Sequence, residues 1–313
     1  MGGPVASYLD GDENGRLHLQ HGPIDLIIGV DGAISLELER YFRAHAFALA
    51  NRRFSTILEE LVAELPLLKS QARPDSPMPK GAVAQRMMRA VLPYADTHFI
   101  TPMAAVAGAV ADEVLGAMLA GFSADNRPQR VYVNNGGDIA LHLDEPAKFS
   151  IGISREDGEG LGRFEVDGQS ATRGVATSGR GGRSLSMGIA DSVTILACNA
   201  AEADAAATIV GNAVDLPGHP SIERRPANDV VDDSDLGDRL VVCGCGALTD
   251  EEIDAALDRG VDEAERLRAG GLIHKAALFL KSQGRVVAPP VRGAEGCAHE
   301  PEHITHLELK RHA

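Results

Sequence analysis

Tryptophan is absent from the 313 residues, and aromatic side chains make up only 4% of them. A core with so few large rings has to be filled by many small and branched side chains, so close helix–sheet packing is expected. Basic charge is also short, with 30 Lys and Arg against 45 Asp and Glu and a formal net charge of −15. That balance excludes the broad basic face a nucleic-acid partner needs. It still permits a locally positive pocket around a small anion. Cysteine is sparse, with Cys198, Cys243, Cys245 and Cys297, and the start MGGPVASYLDGDENG has neither a basic n-region nor an apolar h-region. Both features point to a reducing, cytoplasmic setting. Long apolar runs are missing too. The most apolar stretch, Phe99 to Phe122, meets Asp112 and Glu113 after 13 uncharged residues, too few to span a bilayer. No membrane partner is expected.

What is present is ordinary for a globular chain: 44% hydrophobic and 24% charged residues. Arg16 to Asp31 reads as a hairpin turning at His21-Gly22-Pro23, and Ile34 to Leu65 as a long helix ended by Pro66. In that helix Leu36, Phe42, Phe47, Leu49, Ile57, Leu58 and Leu61 supply apolar bulk, while charged residues including Arg52 and Arg53 supply solvated positions. A proline-punctuated loop (Lys69 to Lys80) and a shorter helix (Gly81 to Leu92) follow. Thr101 then serves as N-cap ahead of Pro102 for a small-residue helix to about Ala120. VYVNNGGDIALHL and KFSIGIS alternate like strands, and Asp157 to Gly162 reads as a glycine-rich turn. Pro217 to Asp238 reads as an acidic loop and LVVCGC as a strand. Thr249 and Glu252 form a capping box for a helix closed by Gly270, and two last strands follow. Without regular βαβ alternation, the fold class is α+β, with mixed or antiparallel sheets packed against small-residue-rich helices.

Val175 to Val214 holds the residues most suited to chemistry. Asn199 and Glu202 can cap a helix that carries Asp204 and Thr208 one turn apart on one face. A carboxylate and a hydroxyl are hard oxygen ligands of the kind Mg2+ prefers. The plain alternative is that Asp204 complements a helix N-terminus while Thr208 bonds back to a carbonyl. The loop Thr177-Ser178-Gly179-Arg180-Gly181-Gly182-Arg183-Ser184 offers backbone N–H groups and two arginines to an anion. It has no Walker lysine, and a turn between strands is the plain alternative. Asn134-Asn135-Gly136-Gly137-Asp138 reads either as a type I′ turn or as backbone lying close to a ligand, with Asp138 as acceptor. Asp112 is a further interior carboxylate candidate, its plain reading an exposed helical charge. Cys243-Gly-Cys245 reads as strand thiols. Cys297, His299, His303 and His306 sit in a terminal tail with opportunistic metal-binding potential.

Four blocks, TPMAAVAGAVAD, VNNGGDIALHL, VATSGRGGRS and AEADAAATIVGNAVD, together resemble the ApbE superfamily of FAD:protein FMN transferases, and most closely its shorter ApbE-like branch. The resemblance implies one ApbE-like domain over 16–288, an N-terminal extension (1–15) and a flexible tail (289–313). It implies Mg2+ on Asp204 and Thr208 of the AD-x-x-x-T motif. It also implies FAD or FMN against Asn135, Gly136, Gly137 and Asp138, beside Thr177, Ser178, Gly179 and Arg180, with Asp112 from a G-x-x-x-D helix in which Ala107 replaces the motif's lysine. The family's His-Ile-Ile-Asp-Pro segment has no match. Ser186 to Ser192 keeps at most Asp191, and no histidine lies between His142 and His219. The resemblance therefore implies a small phosphate or flavin ligand with Mg2+, either transferred or hydrolysed as by an FMN transferase or FAD pyrophosphatase. The alternatives are a non-catalytic flavin or nucleotide binder and a branch-specific role in sulfur assimilation. No catalytic residue is assigned, and self-association is left open.

Overall fold

The computed structural model describes residues 3–9, 15–33, 35–154, 160–182 and 184–289. The chain opens with strands β1 (Val5–Leu9), β2 (Arg16–His21) and β3 (Ile24–Asp31). Helices α1 (Leu36–Ala63), α2 (Leu65–Leu68), α3 (Ala82–Val91) and α4 (Val106–Leu119) follow, the last entered through a 3-10 turn at Pro102–Ala105. Strands β4 (Arg130–Asn135), β5 (Asp138–Leu143), β6 (Lys148–Ser154), β7 (Gly160–Asp167), β8 (Gly174–Ser178) and β9 (Ser192–Ala197) lead to helix α5 (Ala200–Ala213). β10 (Ile222–Pro226), β11 (Leu240–Cys245), α6 (Asp250–Ala269), β12 (Lys275–Leu280) and β13 (Gln283–Val287) complete it.

Nine strands form one sheet in the order β1-β2-β3-β4-β5-β8-β9-β12-β13, and its neighbours pair antiparallel. The helices cover one face, where Leu26, Ile28, Phe54, Ile57, Met118, Val133, Ile195 and Leu278 share a core with the alanines of α4 and α5. The β6–β7 ribbon covers part of the other face, over Leu141, Leu143, Val175 and Leu196. The architecture is the expected α+β.

Small residues decide how closely the helices approach. A methyl group added at Gly108 of α4 would lie 2.2 Å from the carbonyl oxygen of Ala200, at the start of α5. Backbone therefore meets backbone at this crossing, and no side chain intervenes. The crossing is tied on its other side by charge: Glu113 accepts Arg53 Nε at 2.9 Å and Arg86 Nε at 2.9 Å, linking α4 to α1 and α3. Burial works against the Glu113 carboxylate, yet the two guanidinium groups hold it below the ordinary range. Glu113→Ala would leave Arg53, only 18% exposed, with Glu60 as its remaining carboxylate partner. We expect a loss of about 2 kcal/mol in urea denaturation, less than for a fully buried pair because Arg86 keeps solvent.

Several expectations are corrected. Within the stretch assigned to an N-terminal extension, Val5–Leu9 pairs with β2 as an edge strand. The acidic loop after Pro217 contains β10, paired with β11. Of the glycine-rich turn at 157–162, Gly160 onward is strand and the rest lies outside the described residues. Thr101 makes no cap bond; its hydroxyl donates to Asp235 instead. On α1, Leu36 is exposed and Arg53 is half-buried, while Ala46, Ala50 and Phe54 join the core. Pro102–Leu119 is long and apolar enough by length and composition to cross a membrane, but it packs here against α5 and the sheet, half of it buried. The tail from 290 onward, with Cys297 and its histidines, lies outside the described residues.

Candidate functional site

The β4–β5 hairpin, the end of β8 and the outer face of α5 converge where α4 begins. Gly136 and Gly137 form the two-residue loop with φ of +66° and +113°, values that favour glycine. A methyl group at Gly137 would meet nothing within 4 Å, so the turn needs glycine for its backbone angle. Flanking it, Asn135 is buried and spends its amide on structure, donating to Ala107 O at 3.1 Å and accepting Asp25 N at 3.4 Å. Asp138 is buried opposite Asn135 and accepts the Thr177 amide at 3.2 Å.

Asp204 faces this hairpin. Asn199 caps α5 by accepting the Glu202 amide at 2.9 Å, which starts the helix so that Asp204 falls in its second turn. The carboxylate accepts the Gly108 amide at 3.0 Å, so it sits at the N-terminus of α4 and complements that helix. Asp112 on α4 does the reverse. Its two oxygens accept Ala200 N at 3.0 Å and Ala201 N at 2.9 Å, capping α5. Two helices that touch at backbone distance thus cap each other reciprocally. The plain reading of Asp204 as a complement to a helix N-terminus holds, but the helix is its neighbour. Thr208 does not bond back to a carbonyl: among the described residues its hydroxyl has no partner.

Burial pushes Asp204 well above the ordinary carboxylate range, and the nearby Asp138 charge adds to it against the Gly108 and Ala107 amides. Burial likewise raises Asp112 to about 6, opposed by the amides of Ala201 and Ala200. The folded-state value of Asp112 lies above its ordinary 3.8, so the native protein holds the extra proton between the two. Stability from this group is full below about pH 4 and is lost as the pH rises through 6. Asp112→Asn removes that dependence. The melting-temperature difference between wild type and Asp112→Asn should therefore be larger, in favour of wild type, at pH 4.5 than at pH 7.5.

The loop after β8 divides. Strand alternation puts Thr177 on the face of Val175, away from α5, where its hydroxyl lies 2.9 Å from that of Thr194. Ser178 faces α5, and a methyl at Gly211 would lie 3.9 Å from its Oγ. Gly179 has φ +147°, and a methyl there would lie 2.5 Å from the Asp191 carbonyl oxygen. Arg180 is engaged by the Asp191 carboxylate, which also accepts the Lys281 amide. Arg183 lies outside the described residues. The structure therefore brings Asp138, Asp204, Thr208 and Ser178 to one face. It turns the Thr177 side chain away, pairs Arg180 with Asp191, and uses Asp112 as a helix cap. Sequence reasoning missed the Ala107 and Gly108 amides, whose only signal was the glycine itself.

As a metal site the oxygen donors are of the hard kind Mg2+ accepts, but no group of three or more His, Cys, Asp or Glu among the described residues is placed to hold an ion. The protein could supply only part of a shell, which suits an ion that keeps waters and shares phosphate oxygens. Two cavities open elsewhere. One of about 530 Å3 is lined by Phe99 and Asp235 to Arg239, and one of about 420 Å3 lies between β1 and α1.

An α+β fold with a carboxylate pair at a helix crossing defines a class, and sequence comparison identifies it. A family model described as AbpE bacteria matches residues 6–287, and the chain belongs to this ApbE-like family. The UPF0280 protein of Methanosphaerula palustris is 37% identical over 158 residues, covering 50% of this chain and 63% of its own length. That of Methanothrix thermoacetophila is 34% identical over 192 residues, covering 60% and 75%. The chain thus spans less than two thirds of the first relative. Two solved structures are similar at low identity. The flavin transferase ApbE of Vibrio cholerae is 14% identical with a TM-score of 0.34, covering 92% of this chain and 98% of that one. The apo flavinyl transferase ApbE of Pseudomonas stutzeri is 13% identical with a TM-score of 0.36, covering 93% and 96%.

Proposed function

We propose that this protein binds a flavin nucleotide, FAD or FMN, or a related phosphate ligand together with Mg2+, on the face formed by Asp138, Ser178, Asp204 and Thr208, in the cytoplasm. The observation that carries the reading is the Thr208 hydroxyl, without a partner among the described residues, one helical turn from a carboxylate that faces a second carboxylate. A buried acid beside a partly buried one is unfavourable without a cation, and a hard oxygen set favours Mg2+ over a thiophilic metal. Asp204 and Thr208 would hold the ion; when bound, it polarises a phosphoryl oxygen. The family assignment supports a flavin-related ligand, and the sequence blocks carry the choice of flavin.

One observation favours binding without transfer. Where the transferase segment has its histidine, Ser186, Ile189 and Ala190 are buried and Asp191 is taken up by Arg180 and the Lys281 amide. This stretch presents no free acid or base. Incubating the purified protein with FAD and Mg2+ should therefore leave FAD intact while raising the melting temperature. Release of FMN and AMP would establish the hydrolytic form of the reading. Neither stabilisation nor turnover would refute both forms.

A further inference from the structure

Three adjacent strands of the large sheet end together at a place the site above does not use. β8, β9 and β12 are neighbours, with Gly174 opposite Ala197 and Lys275 opposite Leu196. Arg173 N bonds to Ala197 O at 3.0 Å and His274 N to Leu196 O at 2.7 Å, which locks the residues just beyond the paired ends. Thr172, Cys198 and His274 are therefore brought side by side by strand register. The Cys198 thiol lies 3.4 Å from His274 Nε2, and His274 Nδ1 lies 2.8 Å from the Thr172 hydroxyl. Thr172 is buried and Cys198 is exposed. This is a nucleophile, a base touching it, and a hydroxyl that fixes the ring of the base.

We propose that Cys198 is a modification site for low-molecular-weight disulfides, with His274 as its general base, and that it prefers cationic disulfides to anionic ones. At rest the pair is neutral: burial pushes the thiol up and the imidazole down, while Glu202 raises both. A neutral imidazole is a competent acceptor, so the thiolate forms as attack begins. Cys198 Sγ attacks one sulfur of R–S–S–R as its proton passes to His274 Nε2, and the S–S bond breaks. The departing RS− takes that proton back as RSH. Cys198 is oxidised to the mixed disulfide, and the other half of the reagent is reduced. Glu202, in the first turn of α5 and four residues beyond Cys198, is the charged group whose field raises both thiol and imidazole, so a positive R group is drawn in and a negative one repelled.

The test uses the full chain with cystamine or 3,3′-dithiodipropionate at pH 7.0, with the adduct at each cysteine followed by peptide mass spectrometry. Cys198 should react at least tenfold faster than Cys243 and Cys245, and several-fold faster with cystamine than with the anionic reagent. Glu202→Gln should erase that preference. His274→Gln should slow Cys198 at least tenfold at pH 7.0, and its rate should converge on wild type at alkaline pH, once the thiol ionises unaided. A structural role would not produce that convergence. Equal rates at Cys198, Cys243 and Cys245, or equal rates with the two reagents on wild type, would overturn the proposal even if His274→Gln did not fold.

Discussion

Asp204→Ala is expected to abolish the Mg2+-dependent thermal stabilisation that FAD confers on the wild type. At a ligand concentration one hundred times Kd that stabilisation amounts to about 2.7 kcal/mol, or about 4 °C for a chain of this size. The variant loses the carboxylate that faces Asp138 and sits one turn from Thr208, so the ion has no charged anchor on α5. Without ligand the change should be smaller, because two effects oppose. The Gly108 amide loses its acceptor, at a cost of about 1–3 kcal/mol, while a buried carboxylate beside Asp138 is removed. Thr208→Ala separates the two contributions. Its hydroxyl has no partner among the described residues, so the unliganded melting point should hold while the ligand-induced rise shrinks.

Gly108→Ala should be strongly destabilising, because the added methyl group meets backbone on the neighbouring helix. The new carbon would lie 2.2 Å from Ala200 O and 2.7 Å from Ala201 N, both backbone atoms that cannot rotate aside. α4 and α5 must separate, which strains both reciprocal caps. We expect a loss of about 3 kcal/mol or more, against a helix-propensity gain of about 1 kcal/mol. Urea denaturation should show a lower midpoint at unchanged slope. Gly116→Ala on the same helix is the control. Its methyl would meet only Arg86 Nη2, at 3.7 Å, and the propensity gain should make that variant slightly more stable.

The contrast between these two glycines shows what could be read from the sequence. Local chemistry was legible. The Thr249–Glu252 capping box forms as expected, with both of its bonds present. Asn199 caps α5, and the two-residue glycine loop joins β4 to β5. Each depends on residues within four positions of one another. What failed depended on distant partners. Arg53 looked solvated until Glu113, 60 residues on, proved to hold it. Asp112 looked like an exposed charge or a ligand contact, and its actual targets are amides 88 and 89 residues away. β10 was hidden because Pro226 closes the strand in an acidic, proline-marked stretch, yet proline is tolerated at the end of a two-stranded ribbon. For the site, the pairing of Asp204 with Thr208 followed from helical spacing. The approach of Asp138, and the turning away of Thr177, needed the sheet register.

In the proposed site Asp204, Thr208 and Asp138 form the face on which Mg2+ and a flavin phosphate would bind together. The measurement that tests it most directly is a fluorescence titration of FAD with the wild type in Mg2+ and in EDTA. Saturable binding is expected in Mg2+, weakened at least tenfold in EDTA and to the same extent by Asp204→Ala in Mg2+. Absence of binding in Mg2+, or binding of equal strength in EDTA and in Asp204→Ala, would contradict it.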